Sequence, residues 1–428
     1  MEIGWEVEVD IVFKKRGIDM IHGNVIVGQS GGPTSVINSS LVGVYKTARD
    51  MGCLKVYGMR NGIEGLLAGR YVDLSHYIKS DLDIELLKRT PSSFLGTCRY
   101  KLPEAADAPE VYERIFDMLK KLDVKHFFYI GGNDSMDTIK KLSNYAKEIK
   151  SDITFMGIPK TIDNDLAVTD HTPGYGSAAK YIASAMKEII RDANTYPTDS
   201  ITVVEIMGRN AGWLTAAASL SNSEDCNGPD LIYLPEASFD YDKFLKRVEE
   251  VKKFKTAAII AVSEGVKTVD GKYVCEANKS TVFEDSFGHK TLGGTALYLA
   301  DFLAENTGIK SRGIVFSTLQ RCASHLVSRR DITEAFTAGA DAVVAALNGE
   351  TGKMIIFERI SNAPYQLKTS SYDVNLIANV EKCVPAEWIC DDGTNVTKEF
   401  DEYARPLIIG ELSPFMVDGL PRHLFIDK

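Results

Sequence analysis

The strongest constraint on this chain is a recurring order: a short apolar run, a polar turn holding glycine, then a segment with apolar residues at helical spacing. Residues 24–28 run into Ser30, Gly31 and Gly32, and Val36, Ile37, Leu41 and Val44 then mark one face of a helix. Residues 125–130 likewise end in Gly131 and Gly132 ahead of Met136, Ile139 and Leu142. Further strands are expected at 54–58, 201–206, 231–234, 257–262, 313–317 and 354–357. Helices are expected at 241–254, 294–305 and 332–347, and Val111, Ile115, Met118, Leu119 and Leu122 read as a core-facing helical stripe. Strands alternating with helices predict an α/β chain, with parallel-rich sheets covered on both faces and ligands at the strands' carboxyl ends.

The turns carry the chemistry. Glycine between a strand and a helix N-terminus lets backbone N–H groups approach phosphate oxygens, although one such turn is also an ordinary tight turn. PKTIDND at 159–165 follows the apolar run ITFMGI and sets Lys160 among Thr161, Asp163 and Asp165. Asp, Asn and Pro form common solvated turns, so this loop gains weight only beside the glycine turns. In an extended loop Asp163 and Asp165 point to opposite sides, one to act on a hydroxyl and the other to brace. Lys160 supplies a cation for a phosphoryl group. Met207, Gly208 and Arg209 are expected at the head of a helix after the 201–206 strand, where a guanidinium fork suits a sugar phosphate.

Together, SGGPTSVIN from Ser30, FLGTCR ending at Arg99, GGNDS from Gly131, PKTIDND, MGR, the strand-ending Glu264 and the stretch from Arg312 to Arg321 resemble the phosphofructokinase family in order and spacing. The resemblance runs from about Met20 to near the end of the chain and is closer to the pyrophosphate-dependent branch. ATP-using relatives usually have glycine at the positions of Asp134 and Lys160. A carboxylate at Asp134 would fill and repel the α-phosphate's place, while Lys160 would neutralise charge on the phosphates of pyrophosphate. The fold implied has two Rossmann-like three-layer α/β/α domains with the active site between them. Residues 20–174 with a return over about 320–357 would bind the donor, and 175–319 the sugar, after an extension at 1–19. The fold of 358–428 is not legible in the sequence.

Residue by residue, the resemblance implies that Asp163 is the general base for the 1-hydroxyl of fructose 6-phosphate. Thr161, Ile162 and Asp165 would orient the reacting end, with Met207, Gly208, Arg209 and Glu264 around the sugar. Gly31, Gly32, Gly132 and Arg99 would hold the donor. Arg321 and Thr318 fall at the 6-phosphate end, and Arg312 matches an arginine that crosses from a neighbouring subunit, implying a homo-oligomer, dimer or tetramer, with a shared site. Mg²⁺ is the implied cofactor, with Asn133 where many relatives carry a metal-binding aspartate. Thr318 and Ser200 also depart from the pattern, standing where bacterial ATP-dependent enzymes often have histidine and arginine.

A formal charge of −10 over 428 residues opposes nucleic-acid binding. Seven scattered cysteines without a CxxC pair fit a reducing cytoplasm, and Cys98, beside Arg99, reads as buried filler. No apolar run reaches the roughly 20 residues of a membrane span, and the N-terminus lacks a signal-peptide core. Two other readings stay open: an ATP-dependent phosphofructokinase, opposed by Asp134, and a non-catalytic regulatory subunit, opposed by Lys160, Asp163 and Asp165.

Overall fold

The structure, a computed structural model, describes residues 21–277 and 293–426, so the expected extension at 1–19 lies outside the described residues. Among the described residues, beside a two-residue hairpin pairing at Met416–Val417 and Leu420–Pro421, eleven strands build the two main sheets: β1 (Asn24–Gln29), β2 (Val56–Met59), β3 (Tyr71–Asp73), β4 (Val124–Gly131), β5 (Thr154–Pro159), β6 (Ser200–Ile206), β7 (Leu231–Tyr233), β8 (Ala257–Ser263), β9 (Lys310–Val315), β10 (Lys353–Asn362) and β11 (Tyr365–Asp373). The first sheet has the order β11-β10-β5-β4-β1-β2-β3, and the second β7-β8-β6-β9. Every pairing in the second sheet is parallel. In the first, only β2 with β3 and β10 with β11 run antiparallel. The 313–317 strand is therefore shifted: pairing with β6 starts at Lys310 and ends at Val315, leaving 316–318 to turn out of the sheet.

Helices cover both faces because the central strands are apolar on both. Val25 and Val27 of β1 join one core with Phe128, Ile130, Met156 and Ile158, under helices α1 (Ile37–Asp50) and Arg329–Leu347. Ile26, Phe127, Tyr129 and Phe155 face the other way, beneath α2 (Pro109–Lys121) and α3 (Asn133–Glu148). The second sheet repeats this with α4 (Tyr175–Ala193) on one face and α5 (Tyr241–Lys252) and α6 (Thr295–Thr307) on the other. Helix α7 (Arg329–Leu347) lies so close to α1 that a Cβ on Gly339 would sit 2.1 Å from the Ser40 carbonyl oxygen. No described helix is long and apolar enough to cross a membrane.

A buried carboxylate ties the two halves. Asp331, near the start of α7, accepts from Gly174 N at 2.9 Å, Ser177 N at 2.8 Å and Ser177 Oγ at 2.5 Å, at the head of α4. Ser328 Oγ donates to Leu407 O at 2.7 Å, bringing the C-terminal segment into the same joint. Replacing a buried acceptor strands its donors, at roughly 1–3 kcal/mol each. Asp331→Ala is expected to cost about 2–4 kcal/mol of stability, with Asp331→Asn less damaging. Denaturant unfolding checks this, and an unchanged midpoint for the alanine variant would contradict it.

Candidate active site

The carboxyl ends of β1, β4 and β5 open onto one cavity of about 550 Å³. Gly31 takes φ +75°, a left-handed conformation costly for residues with a Cβ. Its N–H donates to Cys98 O at 3.2 Å and its carbonyl accepts from Thr97 Oγ1 at 2.7 Å, which fastens the first glycine turn to the segment carrying Arg99. That segment is docked by buried amides: Leu95 N donates to Gln29 Oε1 at 3.0 Å, and Asn38 Nδ2 donates to Thr90 O and Ser92 O. Lys160 N bonds Gly131 O, and Lys160 Nζ donates to Gly32 O at 2.6 Å, so the lysine crosses between both glycine turns. Cys98 is buried, its Sγ 3.7 Å from Tyr129 Oη.

Of the expected donor-side residues, Gly31, Gly32, Arg99 and Gly132 line the cavity, joined by Asn133, Asp134 and Lys160. Thr161, Ile162, Asp163 and Asp165 form the floor. Asp163 and Asp165 do not diverge: Asn164 adopts φ +56°, which breaks the extended alternation and turns both carboxylates into the same cavity. Asp163 N donates to Thr161 Oγ1 at 3.1 Å.

From the second sheet come Met207, Arg209 and Glu264. The expected helix does not begin at Met207. Gly208 takes φ +136°, Gly212 N is claimed by Glu236 Oε1 at 2.8 Å, and the helix is four residues long from Trp213. Met207 N bonds Gln320 Oε1 at 3.2 Å, and Gly208 O accepts from Ser263 Oγ, so the loop is fixed without helical bonds. Gly208 itself is not among the cavity lining. Arg321 enters from the far side, its Nη1 3.5 Å from where a Cβ on Gly32 would lie, which puts the guanidinium beside the donor turn. Thr318 is exposed and outside the cavity, as is Arg312, whose side chain is 59% exposed.

Asn379 and Glu381 also line the cavity, and sequence reasoning did not reach them. No motif marks them, because they lie more than 200 residues from the 159–165 loop; only tertiary pairing delivers them. Lys382 N donates to Asp165 O at 2.7 Å, Glu381 bridges to Leu166, and Asn379 Nδ2 donates to Asp137 Oδ1 at 3.2 Å.

Burial and crowding of like charges set the protonation states. Burial pushes the Asp163 carboxyl up, against the pull of Lys160 and Arg209. Asp165 is pushed up to about 7 by burial and by the Asp163 and Glu381 charges. Glu264 also reaches about 7, from burial and then Asp163 and Glu205. Lys160 falls to about 8 because its ammonium is desolvated, despite Asp163 and Asp165 nearby. Arg99 is lowered by burial and by the facing Arg321 and Arg209. Cations converging on buried carboxylates suit transfer of an anionic group between anionic ligands, with one carboxylate as base. Among the described residues no group of three His, Cys, Asp or Glu is arranged to hold a metal.

The phosphofructokinase family model matches residues 24–346. A pyrophosphate–fructose 6-phosphate 1-phosphotransferase of Halomonas elongata is 39% identical over 407 residues, 94% of this chain and 96% of that protein. One of the same name from Xanthomonas campestris is 40% identical over 408 residues, 95% of this chain and 96% of that protein. The crystal structure of a pyrophosphate-dependent phosphofructokinase from Nitrosospira multiformis superposes with a TM-score of 0.84 at 39% identity, covering 94% of this chain and 95% of that one. The chain belongs to the phosphofructokinase family.

The raised Asp163 and Asp165 carboxyls and the lowered Lys160 ammonium predict a bell-shaped profile. A base whose pKa is raised loses its ionised form at higher pH than a free carboxyl, so the acid limb should lie above the range in which a free carboxyl titrates. Lys160, at about 8, should lose its charge and weaken the donor end on the alkaline side. kcat/KM for phosphoryl transfer measured from pH 5 to 10 checks both limbs; an acid limb flat to pH 5 would contradict the assignment.

Proposed function

We propose that the chain reversibly transfers a phosphoryl group from pyrophosphate to the 1-hydroxyl of fructose 6-phosphate, giving fructose 1,6-bisphosphate and phosphate, a step shared by glycolysis and gluconeogenesis. The observation that carries this reading is the donor end: Lys160 is buried against Gly32 O while Asp134 occupies the cavity wall at the head of α3. The names of the relatives point the same way. A diphosphate fits beside Gly31, Gly32, Gly132 and Arg99, and a nucleotide's further phosphate would meet the Asp134 carboxylate.

Asp163 takes the proton from the 1-hydroxyl as that oxygen attacks the donor's phosphorus and inorganic phosphate leaves. Thr161 holds Asp163 through its hydroxyl, and Asp165 keeps the second side of the acceptor polar. Lys160 and Arg321, near the glycine turn, meet the charge developing on the moving and departing phosphates. Met207, Gly208, Arg209 and Glu264 frame the sugar. Arg321 lies nearer the donor turn than a 6-phosphate role alone requires, so we place it between the two substrates. Arg312 and Thr318, exposed in this chain, would complete the 6-phosphate pocket at a homo-oligomer interface. In this reading residues 20–174 with 320–357 serve the donor and 175–319 the sugar, the larger sheet also taking in the end of β10 and β11 up to Asp373.

A divalent cation, Mg²⁺ by its hardness, suits the donor end. Asn133 Oδ1 is buried with no hydrogen-bond partner among the described residues, and it lies beside Asp134 on the cavity wall. An unused amide oxygen is the hard donor that magnesium accepts while taking its other ligands from water and phosphate. Bound there, the ion would neutralise charge on the donor's oxygens. All seven cysteines are unpaired, in keeping with a cytoplasmic setting.

Fructose 1,6-bisphosphate formation with Mg²⁺ is expected with pyrophosphate and not with ATP. Activity with ATP alone would move the chain to the other branch, and silence with both would favour a regulatory subunit. Asp163→Ala should lower kcat by about 10² to 10⁴ with the sugar KM nearly unchanged. Asp134→Gly should admit ATP, and continued exclusion would show that other residues set the donor's size.

A further inference from the structure

We propose that Tyr403 is a positioning residue that acts through Asn164 to hold Asp163 and Asp165 on one side of the active-site turn. This inference rests on the proposed phosphoryl transfer and names in Tyr403 a residue that the motif does not contain.

The turn between the two aspartates is strained unless something holds it. Asn164 is fully buried and sits at φ +56°, a conformation that few residues other than glycine adopt, though asparagine tolerates it better than most. Both ends of its side chain are used. Its Oδ1 accepts from Thr172 N at 3.0 Å, and its Nδ2 donates to Tyr403 Oη at 2.8 Å, across 239 positions of chain. The Tyr403 hydroxyl in turn donates to Asp170 O at 2.7 Å, so its single proton is committed and its lone pair faces Asn164.

Tyr403 is itself held firmly. Its ring packs against Trp213 and Trp388 at centroid distances of 5.3 Å each, and the Arg359 guanidinium lies over it at 4.6 Å. Arg359 Nη1 also donates to Tyr403 O at 2.7 Å while Nη2 pairs with Asp170 at 2.8 Å. Tyr403 and Arg359 lie beyond residue 346, where the match to the family model ends. A C-terminal segment thus reaches back and sets the turn that aims the proposed base. Small errors in aim are expensive, since a misplacement of about 1 Å can cost 10²-fold in rate.

Tyr403→Phe removes only the hydroxyl, and Asn164→Gly keeps the left-handed turn while removing both side-chain bonds. Each should lower kcat with pyrophosphate by about 10- to 100-fold, while KM for fructose 6-phosphate stays within about threefold. The double variant should be no slower than Asn164→Gly alone, because the Asn164–Tyr403 bond is already lost there. Wild-type kcat in both single variants, or losses that multiply in the double, would overturn the proposal. If Tyr403→Phe fails to fold, wild-type kcat in Asn164→Gly, which loses the Tyr403 bond together with that from Thr172 N, still overturns the proposal. Wild-type enzyme assayed alongside separates the two levels: absent turnover there defeats the functional reading. The crystal structure of Tyr403→Phe then decides the positioning role by itself. Displaced Asp163 and Asp165 carboxylates support it, and unmoved ones overturn it.

Discussion

The Asp331 carboxylate is the constraint on which the active site depends. Two sheets built separately have no reason to present their strand ends to one another, and a cleft between them is only as exact as the joint that orients them. Asp331 belongs to a helix packed on the first sheet, yet it caps the helix that covers the second. Its burial raises its pKa, and the N–H and hydroxyl donors offset that by favouring the charged form. Glycines at 43 and 339 let the neighbouring helices approach to backbone contact, so the joint has little slack.

Given that joint, the electrostatics of the cavity follow. Carboxylates as close as Asp163, Asp165 and Glu264 would repel one another in water only weakly, but burial and neighbouring charges raise the proton affinity of all three, Glu381 adding its charge beside the two aspartates. Lys160, Arg99, Arg209 and Arg321 line the same cavity, and burial, with the neighbouring cations adding to it, lowers Lys160 and Arg99. Each set is frustrated without ligand. In the proposed reaction, anions entering beside the cations would relieve one half of that frustration and leave a raised carboxylate to take the proton. The same logic places a second buried cluster behind the 159–165 loop. There His171 lies between Asp170 and Glu334, whose charges outweigh its burial and push it up to about 9, helping to fix Asp170 where Arg359 and Tyr403 meet it.

Much of this was legible in local patterns, since strand-turn-helix order and glycine placement are written in neighbouring residues. Gly31 and Gly132 could be placed at strand ends from their neighbours alone, and Lys160 in the loop beside them, because strand-turn order is local. The aspartates were expected on opposite sides of the loop and instead line one cavity, since alternation assumes an extended chain and Asn164 is left-handed. The helix expected at Met207 failed for a similar reason: Gly208 and the Glu236 carboxylate override the pattern that follows a strand.

By itself the sequence determined the α/β class and the loops whose charged residues line the cavity, because these depend on periodicity and on side-chain chemistry. Only the tertiary structure decided that Arg321 lies against the first glycine turn, that Arg312 and Thr318 stay outside the cavity of a single chain, and that Asn379, Glu381 and Tyr403 arrive from the C-terminal segment. Those placements arise from packing between residues hundreds of positions apart, and contacts of that range leave no local pattern in the chain.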